Sequence, residues 1–374
     1  MSTKIGKLPR WVDIGLIPLV NVALAFLVAG LIVLAIGENP LTATRLMLTG
    51  ALGSSEGIGY TLYYTTNYIF TGLAVAFAFH AGLFNIGGEG QAYLGGLGVG
   101  LVLLAFDHSL PFAILLPLAI FAAMIFGAAW ALIPAYLQAY RGSHIVITTI
   151  MFNFLASALM VYLMVNVLTV PGAIAPETRD FEPTAYMPFV HEVLAGFGIV
   201  MPSTPLNLSI LLALVACVFV WLYLWHTPWG YELRTLGQSE KAAVYAGIRT
   251  KRVVLVALCI SGALAGLVGV NEIMGVQHRL LLNFNAGYGF AGIAVALMGR
   301  NHPIGVILAS FLFGVLNQGG AELSFDMPDI TRDMTVVIQG LVILFSGALV
   351  HLTRPWLERL FARLPRRVPA PQGA

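Results

Sequence analysis

The chain has 374 residues, of which 59% are hydrophobic and only 10% charged, with a mean hydropathy of +0.88. Soluble chains carry about 25% charged residues, so the composition excludes an ordinary soluble domain. The formal net charge of +2 gives no reason to expect a nucleic-acid partner, and Cys217 and Cys259 sit in apolar runs without CxxC or metal-ligand spacing.

Lys4, Lys7 and Arg10 precede an apolar run from Leu16 to Ile36 that is long for a signal-peptide core and reads as a first span. With about 20 apolar residues as the length of a crossing helix, spans fall at roughly 16–36, 61–83, 88–106, 111–137, 144–169, 206–226, 253–275, 284–299, 303–319 and 334–352. The expectation is therefore an all-α, polytopic helical bundle of about ten spans. With the N-terminus cytoplasmic, only Arg45, Arg179, Arg279 and Arg332 of the 19 basic residues lie in outer segments. By the positive-inside rule both termini are then cytoplasmic.

Two connections are long. The outer one, 170–205, carries Pro171, Pro176, Pro183, Pro188, Pro202 and Pro205, which disfavour a long helix. The inner one, 227–252, is rich in helix formers, and a short helix is expected over Ser239–Ala246, with Ser239 as N-cap and Gly247 just past its end. A transmembrane domain thus occupies 1–352, and a basic tail follows at 353–374.

The segment FNIGGEGQ at Phe84–Gln91 sets Asn85, Glu89 and Gln91 among glycines between two apolar runs. A carboxylate at membrane depth costs roughly 2.5–3.5 kcal/mol on insertion scales and usually faces a pathway or a partner. A short inner turn with a solvated Glu89 is the alternative. The second-half segment Asn283–Gly299 is short for a span and glycine-rich, which fits either a discontinuous helix or close helix packing. Phe284, Asn285 and Tyr288 are its candidate ligand contacts. FNIG at 84–87 and FNAG at 284–287 hint at a two-half pseudo-repeat. The isolated amides Asn153, Asn166, Asn271, Asn317, Gln318 and Gln339 read foremost as interhelical hydrogen-bonding groups. His80 has no second ligand at metal spacing, no phosphate-binding GxxxxGK[ST] loop occurs, and no catalytic constellation or cofactor motif stands out.

FNIGGEGQAYLGG, the loop GYELRTLGQSEKAAVYAGI and FNAGYGFAGIAVALMGRNHPIGVILASFLFG together resemble the permease subunits of bacterial nucleoside and simple-sugar ABC importers, relatives of the branched-chain amino acid and ribose permeases. The resemblance covers roughly residues 60–350 and leans to the nucleoside branch. It implies a pathway for nucleosides, or alternatively a pentose or hexose, in a bacterial inner membrane, with Phe84, Asn85, Glu89, Gln91, Phe284, Asn285 and Tyr288 along it. It implies no enzymatic activity in this chain. The implied partners are an ABC ATPase subunit, a second and non-identical permease, and an extracytoplasmic binding lipoprotein. It further implies that Ser239, Glu240, Ala242, Ala243 and Gly247 form a coupling helix docked on the ATPase, although GQSEKAA stands where the family more often has Asn-Pro before the acidic residue. The rival expectation is an ion-coupled secondary transporter using Glu89 or Glu272.

Overall fold

A computed structural model describes residues 16–172, 174–327, 330–331, 334, 336–341 and 344. Lys4, Lys7 and Arg10, most of the expected span 334–352 and the tail 353–374 lie outside the described residues. All regular structure among the described residues is helical, apart from two isolated bridges, Glu177 with Leu281 and Phe189 with Asn207.

The chain forms two compact units, residues 1–47 with 320–374, and residues 48–319. The first contains α1 (Ile17–Ile36) and most of α2 (Pro40–Leu52). Gly37, at φ +99°, ends α1, and its amide donates to the Leu34 and Val33 carbonyls. The Asn39 side chain then accepts from the Leu41 amide at 2.9 Å and caps α2, with Pro40 at the first helical position where no amide is missed. The two helices bend by 119°. The first expected span is present, but α2 occupies what was expected to be an outer connection.

In the second unit, α3 (Ser55–His80) starts under a Ser54 cap that accepts from the Gly57 amide at 2.9 Å. Although long enough to cross a bilayer, α3 is studded with Thr61, Thr65, Thr66, Asn67 and Thr71, all buried. The hydroxyls of Thr65 and Thr66 return to carbonyls four residues back, so they need no water inside an apolar bundle.

Then come α4 (Gly88–Phe106), α5 (Phe112–Arg141) and α6 (Ile145–Leu163), the last continued by a π turn to Leu168. A short α7 (Val190–Ala195) lies in the proline-rich connection and leads to α8 (Ser209–His226). The small helices α9 (Pro228–Gln238) and α10 (Glu240–Tyr245) follow. Next are α11 (Thr250–Gly266), carried on by a π segment to Gln277, then α12 (Tyr288–Met298) and α13 (Pro303–Asp326).

Six described helices are long and apolar enough to cross a membrane, or up to seven if α1 and α2 make one bent span. The expected span 284–299 needs correction. Only the eleven residues of α12 are helical, about 16 Å of rise against a hydrocarbon core of about 30 Å. The expected inner loop also needs a second helix, α9, whose N-cap Thr227 accepts from the Gly230 amide at 3.1 Å.

Small residues set how closely the bundle packs. A Cβ at Gly95 would lie 2.3 Å from the Gly266 Cα, and one at Gly127 would lie 2.2 Å from the Gly262 carbonyl oxygen. With α4, α5 and α11 meeting backbone to backbone, dispersion acts at its shortest range, as expected where lipid supplies no hydrophobic drive between helices.

Candidate functional site

Two irregular segments enter the interior of the second unit. Residues 81–87 connect α3 to α4, and 278–287 connect the end of the α11 segment to α12. In each, the next helix begins four residues after the phenylalanine of an FNxG motif, at Gly88 after Phe84 and at Tyr288 after Phe284. The two new helices run in opposite directions. The C-terminus of α4 reaches Arg179 through Asp107, whereas that of α12 approaches the end of α3, where His80 lies 2.9 Å from the Asn301 carbonyl. Their N-termini meet, and a Cβ at Gly289 would fall 2.2 Å from the Glu89 amide nitrogen.

Free amides and positive dipole ends therefore converge, which favours a negative group there. Glu89 supplies it. Its carboxylate accepts from the Asn285 side chain at 2.8 Å, the Gly287 amide at 3.0 Å and the Gly289 amide at 2.8 Å. The start of α4 is capped from α6, where Asn153 accepts from the Gly90 amide and donates to the Ile86 carbonyl, both at 2.9 Å. Asn85 donates to Gln91 and to Ser261 at 2.9 Å each, and Ser261 donates to the Ala74 carbonyl at 2.6 Å. The aromatic partners are packed in. Phe284 is buried against Tyr93 and the bare backbone of Gly96, and Tyr288 stands edge-on to Tyr68.

A second buried polar cluster joins α3 to the π segment after α11. Glu272, 1% exposed, accepts from the Tyr63 hydroxyl at 2.6 Å and the Asn67 amide at 2.5 Å. Asn271 donates to Asn67 at 2.9 Å and accepts from Asn207 at 2.9 Å and Ser209 at 2.6 Å. A carboxylate among so many donors has its desolvation offset by hydrogen bonds.

At the end of the bundle that holds residues 170–205, Asp107 takes both guanidinium nitrogens of Arg179, at 2.7 and 2.9 Å, and the Glu182 amide at 3.0 Å. Burial alone would raise the Asp107 carboxyl, but the Arg179 bonds, the Glu182 amide and the neighbouring charge outweigh it and hold the group below its ordinary value. The Thr178 amide donates to the Leu280 carbonyl and the Phe181 amide to the His278 carbonyl, so the long connection is pinned to the segment that leads into α12.

At the opposite end, α10 has the expected cap. The Ser239 hydroxyl accepts from the Ala242 amide at 3.3 Å, and Gly247 leaves the helix at φ +77°. Its face is divided. Ala243 is 0% exposed, whereas Val244 is 59% and Tyr245 93% exposed. Among the described residues no group of three His, Cys, Asp or Glu side chains is placed to hold a metal ion.

The family of permease components typified by the branched-chain amino acid transport system matches residues 57–347. The chain belongs to that family. It is 35% identical to the guanosine ABC transporter permease NupP of Bacillus subtilis over 89% of its own length and 93% of that protein's. It is equally, 35%, identical to the glucose ABC transporter permease TsgB13 of Haloferax volcanii, over 90% and 88% of the two chains. With the nucleoside permease NupB of Lactococcus lactis it shares 33% over 86% and 89%, and that strain's NupC matches more weakly, at 29% over 68% of this chain. No solved structure matches it. As an ABC permease it is a multi-pass membrane protein.

Within this permease, Asn85 and Gln91 bond to each other, and Glu89 clasps Asn285 and the start of α12. Phe284 and Tyr288 are buried beside them, while Phe84 is half-buried against Phe79. Glu89 is therefore not the solvated group of an inner turn. Asn153, Asn271 and Asn317 do bond between helices, but Asn166 turns back to its own Tyr162 carbonyl. Sequence reasoning missed Tyr63, Asn67, Asn207 and Ser209. Tyr63 and Asn67 stand four apart on one face of an apolar helix, a spacing that signals a shared partner.

Proposed function

We propose that this permease forms the translocation pathway of a nucleoside importer in a bacterial inner membrane, driven by a separate ATPase subunit. The observation that carries the cargo is that two separate relatives, at 35% and 33% identity across most of both chains, are a guanosine and a nucleoside permease. The excess of basic residues at the α9–α10 end supports a cytoplasmic position for that end and for both termini. The turn before α4 and the short helix α12 form part of the pathway's wall, with Phe84, Asn85, Glu89, Gln91, Phe284, Asn285 and Tyr288 fixing its shape. A short helix whose N-terminus starts inside the bundle, as that of α12 does, recurs beside transport routes.

ATP hydrolysis enters through α10. Ser239 and Gly247 set the ends of this coupling helix, Ala243 seats it on its own chain, and Glu240, Ala242, Val244 and Tyr245 are offered to the ATPase. A second, non-identical permease completes the pathway, as the coexistence of NupB and NupC in one Lactococcus strain suggests. An extracytoplasmic binding lipoprotein delivers the ligand to the surface formed by residues 170–205. The weaker reading, a simple-sugar permease, is favoured by the equal identity to TsgB13.

Co-purification from native membranes followed by uptake of radiolabelled guanosine and glucose tests the assignment. The expected result is an ATPase and a second permease in the complex, with ATP-dependent guanosine uptake. Ion-gradient-driven transport by the isolated chain would overturn it.

A further inference from the structure

We propose that the groove between α8, α9 and the start of α11 binds one amine-bearing phospholipid, its phosphate on Arg252 and its ammonium on Glu232. The site is independent of the cargo. It is a cavity of about 280 Å³, enough for a headgroup and the upper part of a chain, with the rest of the lipid left in the bilayer.

The wall contributed by α11 has the polarity of a lipid. Arg252, Val253, Val256 and Ile260 share one helical face, so the groove runs about 12 Å along the helix. It starts at a cation in the first turn of α11 and continues over apolar side chains into the span.

Aromatic residues set the level of the charged end. Trp221, Tyr223, Trp225, Trp229 and Tyr231 fall within eleven positions, where α8 ends and α9 begins. Trp and Tyr gather in this way at a membrane–water boundary. The helix α9 buries Gly230, Leu233 and Leu236 and exposes Trp229 and Tyr231, as a helix lying in that boundary does. A Cβ at Gly230 would lie 2.1 Å from the Tyr223 carbonyl oxygen, so the start of α9 is pressed onto the end of α8.

The two charges then specify the headgroup. Glu232 and Arg252 line the same space from different helices, yet they form no ion pair with each other. Neither side chain has a hydrogen-bond or ion-pair partner among the described residues. Opposite charges held apart across a groove match a phosphate and an ammonium a few bonds apart on one headgroup. A purely anionic headgroup would meet Glu232 with no cation of its own. A soluble protein partner would reach the charged end but not the apolar stretch to Ile260.

The test is native mass spectrometry of the full chain in detergent with equal amounts of dioleoyl phosphatidylethanolamine and dioleoyl phosphatidylglycerol. Phosphatidylethanolamine is expected to be retained about threefold to tenfold more strongly, the size of one charged contact. Glu232→Lys should invert that preference, a result that a merely structural role of Glu232 does not produce. Arg252→Ala should lower retention of both lipids about tenfold. Val256→Trp, which fills the apolar stretch and keeps both charges, should lower both as well.

Equal retention of the two lipids by the unsubstituted chain, or a preference that Glu232→Lys leaves in place, overturns the headgroup assignment. Displacement by glycerophosphoethanolamine, the same headgroup without chains, overturns the lipid as occupant. An Arg252→Ala chain that keeps its lipid but loses the ATPase on co-purification gives the groove to that subunit and overturns the site.

Discussion

Glu89 holds the Gly289 amide, 200 positions later, at 2.8 Å, so a side chain in the first turn of α4 caps a helix that runs the opposite way. The same carboxylate takes the Gly287 amide and the Asn285 side chain, so one charge neutralises two converging helix ends. Glu89→Gln keeps the shape but turns an NH2 toward amide donors. It is expected to cost about 1–3 kcal/mol, the price of a buried hydrogen-bonding group left unmatched. Thermal unfolding of the detergent-purified chain measures this. Combined with Asn285→Ala the losses should fall short of additive, because both substitutions open the same clasp. Additive losses would mean that the two residues act apart.

The division of α10 separates Ala243, which the family resemblance counts among the docking residues, from Tyr245, which it does not name. Small residues in a docking helix suggest a surface for the partner, yet Ala243 faces its own chain and Tyr245 faces away. Ala243→Leu is expected to overpack the seat of α10 at a cost of about 1–3 kcal/mol and to lower the unfolding temperature. Tyr245→Ala should leave that temperature unchanged and weaken co-precipitation with the ATPase. The reverse pattern would show that the helix presents its other side.

The Asp107–Arg179 pair predicts a pH dependence. Asp107 is held below its ordinary value in the folded chain, so its stabilising contribution is complete above the unfolded aspartate range, near pH 4. It fades as the pH falls through the lowered value. Residues 177–182 should therefore gain amide exchange or protease sensitivity below about pH 4, with little change between pH 5 and 8. Asp107→Asn removes the charge that Arg179 engages. It should loosen the segment at neutral pH by about 1–3 kcal/mol and abolish the acid step. A segment equally protected at pH 3 and pH 7 would rule the tether out.

How much of this was legible beforehand depended on where the information sits. Ser239 and Gly247 announced α10 because caps are local, a hydroxyl for a free amide and a residue tolerant of positive φ. Hydropathy likewise located α4, α5, α6 and α8 to within a few residues. It failed at 284–299, since hydropathy counts side chains and the break lies in the backbone. Asn283 and Ala286 take positive φ there, in a segment whose Asn283 amide donates to Tyr93 and whose Asn285 side chain donates to Glu89, both far away in sequence. Tyr63 and Asn67 escaped notice for a related reason. Their partner Glu272 is 205 positions beyond Asn67, and only the fold sets them face to face.

The glycines make the last prediction, because space and not composition separates them. A Cβ at Gly266 would lie 2.2 Å from the Ala123 carbonyl oxygen, a backbone atom that cannot move without shifting α5. At Gly100 the nearest atoms would be the Leu280 Cδ2 at 3.1 Å and Cβ at 3.2 Å, so that side chain has to give by only a few tenths of an ångström. Gly266→Ala is therefore expected at or beyond the upper end of the usual overpacking range of about 1–3 kcal/mol, with little folded protein recovered. Gly100→Ala should be near neutral, since the gain of about 0.5–1 kcal/mol in helix preference offsets the strain on Leu280. Yield and thermal midpoint of the two purified variants decide the matter. Equal tolerance would mean that α4, α5 and α11 do not meet at backbone distance.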